Sequence, residues 1–575
     1  MGYLPQQSET DVSRKMIDVF GGYDHAPRIQ DNEFFEMQNL SSDLYPLLST
    51  RKRRGRVRQL LKPNGLFAHD KLCWVDGTQV YYDGQVVGAV TDSEKQIVGM
   101  GAYILIWPDK VSYNTKTGEY KQLGNKVQTS GEVSVTLCRM DGTPYDNYTA
   151  ADTAPEAPED GQYWLDTSVT PNVLKQYSST YSMWTSIATT YIKIDAIGIG
   201  NGFAEYDGVE ISGLTDETLN GSFVLYKATD DSIVVTAIIS AAFKQTAVVT
   251  VERKIPDMDY IAEHENRLWG CSSVNHEVYC CVLGDPTNWN RFLGVATDSY
   301  AATVGTPGAF TGCITHQGYV LFFKDNVIHK VYGNKPANFQ IASTNCRGVQ
   351  RGSERSLVVV NETLFYKSVK DVCVYGGALP ESISPALGQV RYKGAAAGAD
   401  GSKYYISMQR EDTGAWEMLT YDGDRGLWHK EDGMHAKYFA AYDSDLYFIS
   451  ADDNCLYSVH GSLDHYADSD AAWEAPLEFM AQTGEIGLES PDGKYVQKFQ
   501  LRLDTDDGTL LRVEVQFDTE DVWHELERIN GTARRSFLLP VPAQRCDTMR
   551  LRIIGKGGFR LYSLAKSTEY GGDAP

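Results

Sequence analysis

Long apolar runs are missing from this chain. The longest, IVVTAIISAAF from Ile233, has eleven residues, against the roughly 20 that a helix needs to cross a bilayer, so no membrane span is expected. The opening MGYLPQQSETDVSRKM has no apolar core, which argues against a secretory leader. The ten cysteines contain no CxxC pair, and Cys280 and Cys281 are adjacent. That pattern disfavours a zinc ribbon or a simple disulfide frame and reads as reduced, buried thiols. Positive charge is also short: 53 Lys and Arg face 76 Asp and Glu, for a net charge of −23. A general nucleic-acid binder needs a basic footprint, so that class is disfavoured. No GxSxG, HExxH, Walker loop or strand-following GxGxxG occurs. GIGNGF at 198–203 is glycine-rich, but no helix follows to aim its N-terminus at a phosphate. The eleven histidines are scattered without clustered ligands. Neither a metal, a cofactor nor a catalytic residue is therefore expected, and the chain reads as a non-enzyme.

What the chain has is glycine, tyrosine and a degenerate repeat. With 52 Gly and 35 Tyr, the composition favours strands and tight turns. The repeat is an apolar strand, a polar turn, a second strand with Leu, Tyr or Phe, another turn and a third strand. Copies start at Leu66, Ile97, Tyr260, Phe310, Ser356, Ala395 and Tyr438. Middle-strand anchors Leu268, Leu321, Leu364, Tyr404 and Leu446 are spaced by 53, 43, 40 and 42 residues. A period of about 40–50 residues with three or four short strands is that of a β-propeller blade. Asp76-Gly77, Asp83-Gly84, Asp400-Gly401 and Asp422-Gly423 supply hairpin signals. The predicted fold class is all-β: a propeller of about six or seven blades with added modules. Meanders assembled in a sandwich are the alternative.

The predicted organisation has five parts. Residues 1–60 form an extended N-terminal arm with one helical turn around Glu33 to Gln38, and 61–130 hold the first blades. Residues 131–254 are small β modules inserted in a blade loop, with Trp164, Tyr177 and Trp184 spaced to pack on one another. Residues 255–472 carry the remaining blades. Residues 473–575 form a C-terminal β-sandwich, because Leu511, Val513, Val515 and Phe517 alternate with Arg512, Glu514, Gln516 and Asp518.

Chemistry-bearing candidates are few. Asp257, Asp259 and Glu263 near a blade end are the carboxylates to test for glycoside hydrolysis. Trp269, Trp289, Trp416 and Trp428 are either sugar-stacking platforms or blade packing. GDPTNWNRF reads as a structural corner held by Asp285, Asn288 and Asn290. Arg51, Lys52, Arg53, Arg54, Arg56 and Arg58 put six positive charges within eight residues. They read as a docking or DNA-contact site, or as a solvated or internally paired segment.

GGYDHAPRIQDNEFFEMQNLSSDLYPLLSTRKRRG resembles the opening of tailed-bacteriophage virion proteins. YIAEHENRLWGCSSVNHEVYCCVLGDPTNWN is similar to their propeller core, and GQYWLDTSVTPNVLKQYSSTYSMW to a short β motif of phage tail and fibre proteins. The resemblance is to the tail nozzle, stabilisation or hub proteins of short-tailed phages. It implies a structural protein made in the host cytoplasm and placed in the virion tail. It further implies a homo-hexameric ring, other tail or neck proteins as partners, and non-specific passage of DNA through a genome-ejection conduit. The alternatives are a tail-tip protein binding a host surface glycan and a glycan-degrading β-propeller enzyme.

Overall fold

The computed structural model describes residues 11–145, 147–463, 465–488 and 494–570. Residues 1–10 of the expected arm and the last five of the expected sandwich lie outside the described residues. The protein is all-β: among the described residues the only helices are four three-residue 3₁₀ turns. Each of the seven sequence repeats coincides with a four-stranded antiparallel meander of the propeller-blade type, at 63–89, 96–122, 260–303, 312–345, 358–382, 392–430 and 436–458, the last completed by Gly55–Gln59. The five middle-strand anchors are all fully buried. A small twisted sheet buries both faces only against neighbours, and the apolar clusters lie between successive sheets. Trp74 packs with Tyr447 and Ile449, and Leu446 with Tyr405 and Met418.

Turn chemistry follows the sequence at three of the four Asp-Gly pairs. Asp83 and Gly84 close a two-residue hairpin with φ of 49° and 78°, the left-handed pair such a turn requires. At Asp422-Gly423 the loop is longer, and the left-handed residue is Gly426, φ 70°, whose N–H donates to the Asp422 carbonyl at 2.8 Å.

The chain forms two compact units. One takes in the described residues up to Glu94, then 323–328 and 344 onward; the other holds 95–322 and 329–343. In the first unit, the opening strand of the last sheet, Ala436–Tyr442, packs beside both Tyr392–Ala399 and Pro63–His69, so the first and last repeats are neighbours. The second unit contains the inserted modules: an eight-stranded sheet and a separate four-stranded sheet at 148–186. There Trp184 packs against Trp164 and Tyr177 with ring centroids 5.5 and 5.3 Å apart, as the sequence spacing predicts.

The C-terminal sandwich has two sheets, and the alternation read from the sequence sets its core. Leu511, Val513, Val515 and Phe517 are at most 1% exposed, and Met549, Leu551 and Ile553 at most 2%. The N-terminal segment is built into this unit. Asp11–Ile17, Leu40–Ser41 and Leu48–Thr50 join one sandwich sheet, and Phe34–Gln38 joins the other. The helical turn expected at Glu33–Gln38 is thus a strand. Phe34 and Met37 are both buried three positions apart, a helix-like spacing. A β-bulge between Phe34 and Glu36 inserts the extra residue that returns both side chains to one face.

Candidate functional site

The basic run divides by register along the chain. Arg51 and Arg54 are 7% and 1% exposed and sit in an ion cluster with Glu431, Asp432 and Glu474. Arg54 donates to Glu431 Oε2 at 2.6 Å and Asp432 Oδ2 at 2.7 Å. Arg51 reaches Glu474 Oε2 at 2.9 Å, Asp432 Oδ2 at 3.1 Å and Asn39 Oδ1 at 2.9 Å. Burial by itself disfavours both charge states. It raises the Asp432 carboxyl, but the facing Arg54 and Arg51 outweigh it and hold Asp432 below its ordinary value. Burial also lowers Arg54, and Asp432, Glu431 and Glu474 outweigh it, so Arg54 stays firmly charged. The docking or DNA-contact reading fails for Arg51 and Arg54, because their donors are spent on internal carboxylates. Arg58 donates to the Tyr466 carbonyl at 3.0 Å and lies over the Trp74 ring, and Arg56 donates to Gln59. Lys52 and Arg53 remain exposed; the Arg53 guanidinium donates to the Glu474 carbonyl.

These two cations border a cleft of about 780 Å³ in the first unit, lined also by His460, Trp473, Asp506, Asp507, Leu510, Lys556 and Arg560. Trp473 ends a short strand, Ala472–Trp473, paired to Arg56 and Gly55. The residue is 60% exposed, yet Nε1 donates to the Gly461 carbonyl at 2.9 Å. The indole is thereby held in place with most of its surface in solvent. Asp506 and Asp507 lie in the turn before Leu510–Phe517, and Asp506 Oδ1 accepts from Arg560 at 3.2 Å. Gly557, φ 120°, lets the facing turn pass close to Thr509. His460 Nε2 lies 3.1 Å from Asp400 Oδ2, and that hydrogen bond raises its pKa above the ordinary histidine value against the opposing effect of burial.

The other sequence candidates are not brought together. Asp257 is exposed and paired with Lys110 at 2.6 Å. Asp259 accepts from the Ser273 N–H at 2.7 Å, and Glu263 from the Asn266 N–H at 2.7 Å. These are strand-end contacts, each with a separate partner. Trp269, Trp289 and Trp428 are buried and pack inside or between sheets, and Trp416 stacks on His435 with centroids 3.5 Å apart. GDPTNWN is a structural corner as read: Asp285 accepts from Thr287, and Asn288 ties Tyr206 and Gly208. Trp473 was not singled out in the sequence because it is one aromatic in the polar stretch DAAWEAP, with no periodic partner to mark it.

No family model and no curated protein matches the chain. Solved structures do align with it. An exo-β-1,3-galactanase from Phanerochaete chrysosporium is 9% identical over 52% of this chain and 92% of its own, with a TM-score of 0.21. A family 43 arabinoxylan arabinofuranohydrolase from Bacillus subtilis is 9% identical over 70% and 93%, TM-score 0.16. The extracellular domain of a hybrid two-component system from B. thetaiotaomicron is 9% identical over 89% and 98%, TM-score 0.15. Likenesses of this size assign no activity to this chain. The expectation of a non-enzymatic phage-tail conduit is corrected only to this extent: the three aligned proteins are named as a galactanase, an arabinofuranohydrolase and the extracellular domain of a two-component system, and none as a phage protein. The structural-protein, virion, tail-nozzle, tail-hub and genome-ejection readings are withdrawn with it.

Proposed function

We propose that the protein recognises a carbohydrate in the Trp473 cleft. The observation that supports this is the exposed indole fixed by its own N–H. A tryptophan left 60% exposed forgoes burial worth roughly 1.5–3 kcal/mol for a large apolar side chain, and the hydrogen bond to Gly461 stops it from folding down onto the surface. An aromatic face held in that way stacks on the C–H face of a sugar ring. Asp506 and Asp507 accept hydroxyl hydrogens, while Arg53 and Lys52 donate to ring and hydroxyl oxygens. Apolar surface with a few convergent polar groups is the usual make-up of a small-molecule cleft.

The test is calorimetric titration of the full chain with oligosaccharides, starting with β-1,3-galactan and arabinoxylan oligomers, the glycans named for two of the aligned structures. Saturable binding is expected, with at least a roughly tenfold loss in Trp473→Ala, about 1.4 kcal/mol, and a smaller loss in Trp473→Phe. Reducing-end release measured on the same samples reports whether bond cleavage accompanies binding. Affinity unchanged by Trp473→Ala, or no saturable binding across the panel, rejects the proposal.

A further inference from the structure

Resting on that reading, we infer that the cleft selects an acidic glycan: an extended chain of uronate-bearing sugars in preference to a neutral one. The inference starts from how the basic run is divided. Arg51 and Arg54 turn inward and are neutralised by three carboxylates. Lys52 and Arg53 turn outward into the cleft, and among the described residues neither makes an ion pair. Arg53 rests on a main-chain carbonyl, which fixes the guanidinium without cancelling its charge. On a chain with a net charge of −23, two cations outside any ion pair at one cleft wall are a local reversal of sign, even with Asp506 and Asp507 lining the same cleft and Asp43 within the electrostatic reach of Lys52. A guanidinium fork fits a carboxylate through two parallel hydrogen bonds.

The length of the occupant comes from a second cavity of about 630 Å³ that shares Leu510 and Lys556 with the first and adds Arg512 and Arg528. The two cavities flank Leu510, whose side chain is 61% exposed. An occupant that crosses Leu510 would meet Trp473, Lys52 and Arg53 in the first cavity and, in the second, Arg512 and Arg528, which pair with Glu514 at 3.6 Å and Glu525 at 2.7 Å. An anionic group on each sugar places negative charge along that whole path. A monosaccharide would use one end only.

The experiment compares oligogalacturonate with a neutral galacto-oligomer of equal length on the full chain, at low and high salt. Oligogalacturonate is expected to bind about tenfold tighter or more at low salt. The preference should shrink as the screening length falls from about 10 Å at 0.1 M to about 3 Å at 1 M. In the Lys52→Glu, Arg53→Glu double variant the ratio of the two affinities should fall to about one. The Lys52→Gln, Arg53→Gln variant should give an intermediate ratio, with circular dichroism confirming the fold of both. A neutral oligomer that binds as tightly as the acidic one overturns this inference and leaves carbohydrate recognition standing, as does a preference that survives the charge reversal. A sulfated galactan preferred over the uronate chain also overturns it. Binding of neither class removes both this inference and the function on which it rests.

Discussion

Arg54 donates to Asp432 Oδ2 at 2.7 Å across 378 positions of chain. The main chain beside them is tied in the same way: the Glu474 N–H donates to the Arg54 carbonyl at 2.9 Å, and the Asn39 N–H to the Glu431 carbonyl at 2.7 Å. One buried guanidinium thus pins the N-terminal segment, the end of the 392–430 sheet and the strand bearing Trp473 to each other. The cleft wall depends on this junction.

Removing Arg54 should therefore be costly. Arg54→Leu leaves Glu431, Asp432 and Glu474 facing one another with a single cation, Arg51, between them. Breaking one side of a buried ion cluster costs about 3–5 kcal/mol. Urea unfolding followed by tryptophan fluorescence should show the midpoint fall by a corresponding amount. Lys52→Leu, in the same run but exposed, should move it little.

Acid should weaken the first unit through carboxyls held below their ordinary values. Burial raises Glu94, but hydrogen bonds from Lys437 and Arg355 outweigh it and bring it from 4.5 to about 2. A depressed folded value means that the unfolded chain binds more protons in that interval. The stability from Glu94 is full above pH 4.5 and is lost as pH falls towards about 2. Melting temperatures of Glu94→Gln and the unaltered protein should differ at neutral pH and converge near pH 2.

Binding of an anionic sugar should weaken with rising pH around and above neutrality. The hydrogen bond to Asp400 raises His460 most, burial opposes it, Asp400 and Asp445 add attraction, and Lys52 subtracts from it. The imidazolium adds a positive charge to the cleft below that raised value and loses it as pH climbs through it. Affinity for oligogalacturonate measured from pH 5.5 to 8.5 should fall in that direction, and His460→Gln should flatten the profile.

Gly22 should tolerate no side chain. A Cβ there would lie 2.1 Å from the Trp428 carbonyl oxygen, and the adjacent Tyr23 N–H already donates to that oxygen at 2.6 Å. Neither backbone can yield without breaking the contact. Gly22→Ala should lose roughly 1–3 kcal/mol or more by overpacking, read as a lower denaturation midpoint, whereas Gly118→Ala, with open space but φ of 74°, should lose less.

The sequence by itself determined the seven repeat units, the buried middle-strand anchors and the sandwich face at Leu511 to Phe517. These rest on local periodicity, since a strand's burial pattern is written every second residue and a blade's every 40 or so. Only the tertiary structure decided the fate of the basic run, because Arg51 and Arg54 differ from Lys52 and Arg53 solely in which carboxylates, some 380 to 420 positions away, face them. It also decided the strand at Phe34–Gln38, where a bulge cancels a helix-like spacing, and the exposure of Trp473. Whether an isolated indole is covered depends on what the rest of the chain brings over it, and no residue within reach in sequence carries that information.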